Sequence, residues 1–283
     1  MWRMESSNWD PSKCKEWDTM QPNAICHARI GRDIRHLLDE EREGDLDIFV
    51  YPNDENVTKL LGLIIGPAET PYAGGFFQFY LRVPPDYPIS PPRVRNLTTG
   101  ESTVRFGPNL YNDGKVCLSI LGTFSGPHWT PILNVGAVLK SIQSLMSSSA
   151  LRNEPSYENL SSKDRQVVEY DRIITHETIR VAVVDSVRQA VEPACTFPVK
   201  FRVIMLRRFL RDKSLWLKIC EDNCPIDGAP MNCIYGPSPG PYKWKALKQH
   251  LLDLEPKVLT ALEQLDVPKE GSEKAGEKRP EAN

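Results

Sequence analysis

The segment Gly107–Pro131 reads GPNLYNDGKVCLSILGTFSGPHWTP and sets one cysteine, Cys117, eight residues after Asn109. Those are the two side chains that acyl transfer through a thioester needs. A thiolate is the strongest nucleophile among side chains near neutral pH, and a carboxamide nearby can donate to the oxyanion that forms when a carbonyl is attacked. Between them Asn112-Asp113-Gly114 is a tight-turn signal, which would fold the chain back and bring Asn109 towards Cys117. Spacing alone leaves a second account open. Cysteines rank among the most buried residues, and in an apolar run such as Val116-Cys117-Leu118 a core thiol is the commoner outcome. No histidine lies within ten residues of Cys117, the nearest being His128, so nothing signals a Cys-His dyad.

The elements around this segment follow from periodicity. Ile30, Ile34, Leu37 and Leu38 recur at helical spacing within Ala24–Gly44, with Arg29, Arg32 and Asp33 on other faces and Gly44 as a stop. Strands are predicted over Asp47–Tyr51, Lys59–Ile65 and Phe77–Val83, and a short fourth over Arg93–Leu97. In the third, Phe77, Phe79, Leu81 and Val83 alternate with Gln78, Tyr80 and Arg82, so a half-buried antiparallel meander is expected. The proline-dense run Pro84–Pro92 is too poor in backbone donors for a central strand. After the cysteine, Val135, Val138, Leu139, Ile142, Leu145 and Met146 line one face of a helix that Asn134 can cap. Asn153-Glu154-Pro155 opens a loop before a further helix, Ser162–Gln189. His176-Glu177 on it invites a metal reading, but the next turn holds Arg180 rather than a second histidine, so a surface pair is expected. Phe201–Cys220 and Trp244–Leu265 read as helices, with Pro256 breaking the second into two pieces.

The chain of 283 residues divides into a leader that is flexible or ordered only on contact (1–23), a core domain (24–190), a helical C-terminal extension (191–266) and a disordered tail (267–283). Its 35 basic and 37 acidic side chains give no bulk field to gather nucleic acid. No stretch approaches the roughly 18 apolar residues of a membrane span, and Met1–Lys15 has no secretory apolar segment. A soluble cytoplasmic protein, with the nucleus also open to it, is the expectation. Seven scattered cysteines fit reduced thiols. Cys220, Cys224 and Cys233 lack the paired spacing of zinc knuckles, so neither metal nor cofactor is expected.

The run Gly107–Pro131 resembles the active-site signature of the ubiquitin-conjugating enzymes, in which His-Pro-Asn is followed by a turn, by Cys-Leu-x-Ile-Leu and by Trp-x-Pro. Pro108, Asn109, Gly114, Cys117, Leu118, Ile120, Leu121, Trp129 and Pro131 match at family spacing. Thr70–Phe77 and Pro85–Pro92 match the family's Pro-Tyr-x-Gly-Gly and Tyr-Pro-x-x-Pro-Pro blocks in order. One departure is Gly107, which stands where the family has the histidine that braces the asparagine loop. The resemblance covers about Ala24–Ala190. The long extension, the loop ending Asn153-Glu154-Pro155 and the text His176–Val183 look most like the Z type of the family.

This resemblance implies an α+β fold: an N-terminal helix, a four-stranded antiparallel meander, a central helix and C-terminal helices, here followed by the extension. It also implies that Cys117 accepts ubiquitin, or a ubiquitin-like modifier, as a thioester from an activating enzyme. Asn109 would donate to the oxyanion when a lysine of a protein substrate attacks, and Glu154 matches an acidic gate position. The basic face of the first helix, Arg29 and Arg32, would dock the activating enzyme. Ile89, Pro131 and Ile132 correspond to the patch that ligases of the RING type grip. Beside this stand a catalytically weak scaffold of the same fold, supported by Gly107, and a cysteine hydrolase using Cys117 with His128 or His176.

Overall fold

The computed structural model describes residues 9–44, 47–235 and 240–265. A long helix α1, Ala24–Glu43, starts where Asn23 accepts from the Cys26 N–H at 2.8 Å and stops at Gly44, whose φ of 76° is left-handed. Four strands follow, β1 Ile48–Pro52, β2 Lys59–Ile65, β3 Phe76–Arg82 and β4 Arg93–Asn96, paired antiparallel in chain order. The register sets Phe49 opposite Leu63, Ile64 opposite Phe77 and Leu81 opposite Val94. Helix α2, Val135–Leu145, begins at Asn134, which accepts from the Ala137 N–H at 2.7 Å. Helix α3, Arg165–Glu177, runs through a π-helical stretch, Thr178–Asp185, into α4, Ser186–Val191. Helices α5, Val199–Asn223, and α6, Trp244–Leu265, complete the chain. This is the α+β arrangement that the sequence predicts.

The sheet is buried on both faces. Ile48, Val50, Leu60, Ile64, Phe77, Phe79 and Leu81 pack with α1 and α2 in one core. The alternate residues Phe49, Leu63, Ile65 and Phe76 pack with Ile179, Val183, Phe201, Phe209, Trp216 and Trp244 in a second. Each such side chain withdrawn from water contributes about 1.5–3 kcal/mol. The C-terminal helices are therefore continuous with the sheet's own core.

Two expectations are corrected and a third is narrowed. Of the two readings of the leader, flexible or ordered on contact, residues 9–23 take the second: Pro11–Lys13 and Glu16–Thr19 form short helical turns that meet β3 and β4. Buried Asp10 pairs with Arg95 at 2.5 Å, while Arg82 donates to the Cys14 carbonyl at 2.8 Å and to Asp18 at 2.7 Å. Arg93 lies over the Trp17 ring at 4.3 Å. Residues 1–8 and the expected tail lie outside the described residues. Pro256 does not break α6. The proline is exposed and its missing N–H would have faced exposed Leu252, while Leu251, Leu254, Val258 and Ala261 keep one buried seam across it. Finally, His176 and Glu177 are each 1% exposed, not a surface pair. The Lys243 N–H donates to His176 Nε2 at 3.0 Å, and His176 Nδ1 lies 2.7 Å from Glu177, which also takes a forked bond from Arg180. The Trp244 ring closes edge-on over His176.

Candidate active site

The turn read from Asn112-Asp113-Gly114 closes a small hairpin in which Leu110 bridges Val116 and Tyr111 N–H bonds the Lys115 carbonyl at 3.0 Å. Gly114 has φ 91°, and a Cβ there would lie 2.6 Å from the Asn96 carbonyl oxygen, so only glycine fits. One step further, the Cys117 N–H donates to the Asn109 carbonyl at 2.8 Å, and Asn109 Nδ2 donates to the Cys117 carbonyl at 3.0 Å. The two residues are thus tied reciprocally. Asn109 is 6% and Cys117 5% exposed, and Asn109 Oδ1 is buried without a hydrogen-bond partner among the described residues. One N–H of the amide is committed to this tie, which leaves the other for an incoming group. Behind the thiol, Thr123 Oγ1 accepts from the Leu118 N–H at 2.9 Å and donates to the Val116 carbonyl at 2.6 Å, pinning the chain on both sides of Cys117.

Burial pushes the Cys117 thiol above its ordinary range, and Asp113 adds to the rise; Lys115, the Tyr111 hydroxyl and Arg105 pull against it. The resting group is therefore a protonated thiol with cationic help nearby for the thiolate.

The asparagine loop has a brace although Gly107 replaces the family histidine. Arg105 donates through Nε to the Gly107 carbonyl at 3.1 Å and through its terminal nitrogen to the Pro108 carbonyl at 2.6 Å. The Tyr72 hydroxyl donates to the Phe106 carbonyl at 2.5 Å. Gly107 itself has φ 150°, and a Cβ there would meet the Tyr72 oxygen at 3.1 Å. A side chain at 107 would have to displace that oxygen, so the glycine accompanies the different brace rather than marking a lost one.

Glu154 sits half-buried at the end of the turn Ala150–Asn153. Burial raises the Tyr235 phenol, and the Glu154 carboxylate beside it raises it further. Burial also raises Tyr111, to which Cys117 and, last, Glu154 add. The carboxylate thus acts on the two rings that flank Arg105, on the side of the site holding Cys117.

Of the residues expected to bind partners, Ile89 and Ile132 are 69% and 85% exposed and Pro131 is exposed. Trp129 Nε1 donates to the Pro88 carbonyl at 2.8 Å and so joins the two loops that carry them. Arg32 is exposed on α1, but Arg29 is not a free cation. Its guanidinium bonds Asp33 at 2.9 Å and the carbonyls of Pro131 at 2.8 Å and Leu133 at 2.6 Å, clamping α1 to the 131–133 loop. Asp33 in turn takes the Tyr87 hydroxyl. Sequence reasoning passed over Arg105, Tyr111 and Tyr235. Arg105 lies two residues before the motif and Tyr111 within it, so both could have been found there; Tyr235 carries no local signal.

Among the described residues no group of three or more His, Cys, Asp or Glu is arranged to hold a metal ion, and no helix is long and apolar enough to cross a membrane. Comparison with known proteins gives one consistent answer. The profile of the family described as ubiquitin-conjugating enzyme matches residues 29–176. Ubiquitin-conjugating enzyme E2 Z of Homo sapiens is 42% identical over 256 residues, covering 90% of this chain and 70% of that protein. Its namesake in Danio rerio is 40% identical over 249 residues, 88% of this chain and 74% of that one. A human protein described as the dual E2 ubiquitin-conjugating enzyme/E3 ubiquitin-protein ligase BIRC6 is 44% identical over 149 residues, 50% of this chain and 3% of its own length.

Proposed function

The chain belongs to the ubiquitin-conjugating enzymes, a family of ubiquitin transferases, and from that premise we propose that Cys117 carries the transferred acyl group and that Asn109 serves its release. The observation that supports this most directly is the reciprocal pair of hydrogen bonds between Asn109 and Cys117, which holds a carboxamide donor beside the only cysteine in the motif. In the first step the Cys117 thiolate attacks the carbonyl carbon of the thioester on an activating enzyme. A new carbon–sulfur bond forms and the activating enzyme's cysteine leaves as a thiolate. In the second, a substrate amine attacks the Cys117 thioester, the oxyanion takes a hydrogen bond from the Asn109 amide, and the Cys117 thiolate departs as the amide bond forms. The amine must shed a proton, and we assign its orientation to Glu154, a reading supported by the half-buried carboxylate beside Tyr235.

The family implies ubiquitin and ligases as partners. Arg32 on α1 is the exposed cation that supports docking of the activating enzyme there, with Arg29 shaping the loop behind it rather than reaching outward. Ile89, Pro131 and Ile132 form the surface proposed for a ligase of the RING type. The weak-scaffold reading loses its support, because Arg105 and Tyr72 brace the loop that Gly107 leaves without a histidine.

The test is charging with ubiquitin, magnesium ATP and an activating enzyme, read on paired reducing and non-reducing gels. A thiol-sensitive adduct is expected, lost in Cys117→Ser and kept in Asn109→Ala, whose discharge to free lysine slows about 10²-fold. A thiol-sensitive adduct that survives in Cys117→Ser, or no adduct with any activating enzyme, would overturn the proposal; a thiol-resistant adduct of Cys117→Ser would be the oxyester of the new hydroxyl and places the acyl group at position 117.

A further inference from the structure

The C-terminal segment between α5 and α6 does not merely flank the core. Pro230 bridges Pro241, and the Lys243 N–H on buried His176 anchors one end of the segment. Tyr235 packs edge-on against Tyr170 of α3 at 5.7 Å between ring centres. Beside it also lies the Arg105 guanidinium, whose carbon is 4.3 Å from the Tyr235 ring centre and 3.9 Å from that of Tyr111. A guanidinium between two aromatic rings is held flat, and its rim N–H groups then point at fixed places. Here they point at the carbonyls of Gly107 and Pro108, the two residues before Asn109.

We propose that Arg105 is the positioning residue for Asn109 and that Tyr235, a residue outside the family domain, holds Arg105 in place, so that the C-terminal segment takes part in the transfer step. This rests on the roles proposed above for Cys117 and Asn109. Arg105 touches no reacting atom in this account. It acts on Asn109 through backbone carbonyls, and Tyr235 acts on Arg105 through its ring face rather than its hydroxyl. Tyr111 meets the same guanidinium and lies beside the thiol, so the contacts run from the C-terminal segment to Cys117.

The experiment separates charging from discharge. The full-length protein is loaded with ubiquitin, activation is quenched, and loss of the thioester to free lysine is followed for Arg105→Gln, Arg105→Lys, Tyr235→Leu and Tyr235→Phe, each alone and combined with Asn109→Ala. Arg105→Gln is expected to slow charging only a few-fold, because Lys115 pulls on the thiol more than the guanidinium does, and to discharge about tenfold more slowly, the scale of a misplaced donor. Arg105→Lys, which keeps the charge but loses the fork, falls between. Tyr235→Leu slows discharge about threefold, and Tyr235→Phe, which keeps the ring face, leaves it unchanged. In the Asn109→Ala background neither Arg105→Gln nor Tyr235→Leu slows discharge further, as expected of residues that act through Asn109. Equal slowing with and without the Asn109 side chain would overturn the inference, as would discharge of Arg105→Gln at the unsubstituted rate. If Arg105→Gln does not fold, the Tyr235→Leu and Tyr235→Phe pair carries the same contrast. Failure of the unsubstituted protein to form a thioester defeats the transfer reading instead, so the two failures are told apart.

Discussion

The two segments that flank the family domain are fastened to the same sheet by different physics. The leader from residue 9 sits on β3 and β4 through charges and ring faces: Asp10 to Arg95, Asp18 to Arg82 and Lys59, and Arg93 over Trp17. The C-terminal helices sit through an apolar core in which Phe201, Phe209, Trp216 and Trp244 meet Phe49, Leu63, Ile65 and Phe76. The exposed pairs of Asp18 are individually weak and screened by salt, the buried Asp10–Arg95 pair less so, whereas apolar burial is neither. The leader is thus a conditional attachment, and the extension is part of what makes the sheet stable.

The sharpest way to break this contrast is Trp216→Ala. The ring is fully buried, Nε1 donates to the Ala73 carbonyl at 3.1 Å, and its edge occupies the space beside Gly74 that any Cβ would need. A loss of about 3–5 kcal/mol in urea unfolding is expected, unchanged by salt. A loss under about 1 kcal/mol would mean that the extension is peripheral after all. Next comes Asp10→Asn. It removes the buried charge that holds the one-third-exposed Arg95 and should cost about 1–3 kcal/mol at low ionic strength, with the difference falling modestly as salt is raised. Faster tryptic cleavage at Lys13 and Lys15 would report the loosened leader, and a salt-independent cost would contradict the electrostatic account.

The smallest effects are those of pH, and they run in opposite directions. Lys59 first, and then Arg82, hold the Asp18 carboxyl below its ordinary range. The leader's attachment is therefore present above the unfolded value near 3.9 and is lost only as pH falls through the lower folded one. Burial instead raises Asp171 to about 6, against the pull of the Ala150 N–H. The folded state holds that proton more tightly than the unfolded chain, so stability falls as pH rises from about 4 to 6 and stays lower above. Asp171→Asn keeps the acceptor for Ala150 and should raise the melting temperature near pH 7.5 by a few degrees while changing little near pH 4. An equal gain at both pH values would rule out ionisation as the cause.

Much of the fold was legible because its signals are local. The alternation in β3 and the helical spacing of Ile30, Ile34 and Leu37 each lie within one element, and the site's motif lies within one continuous run. What the sequence hid depends on distant partners. Asp10 finds Arg95 across 85 positions, and His176 is buried by Tyr242 and Trp244 from the far end of the chain. Local rules then misled: a polar leader reads as loose, a His-Glu pair reads as surface, and a proline reads as a break. In the site the same limit applied. Cys117 and Asn109 announce themselves, while Arg105 gains its meaning only when Tyr235 arrives beside it. Arg29 shows the converse, because a cation that looks free on a helix finds its acceptors about a hundred residues later.

The shared second core also has a consequence for how the protein is made. The strands carrying Phe49, Leu63, Ile65 and Phe76 leave the ribosome long before Phe201, Phe209 and Trp216, which pack with them. Until α5 emerges, a nascent chain that has already formed the Cys117 hairpin presents an under-covered apolar sheet face to the cell, a surface of the kind chaperones bind and aggregates grow from. Translation that halts before α5 would therefore yield a client for quality control rather than a smaller enzyme.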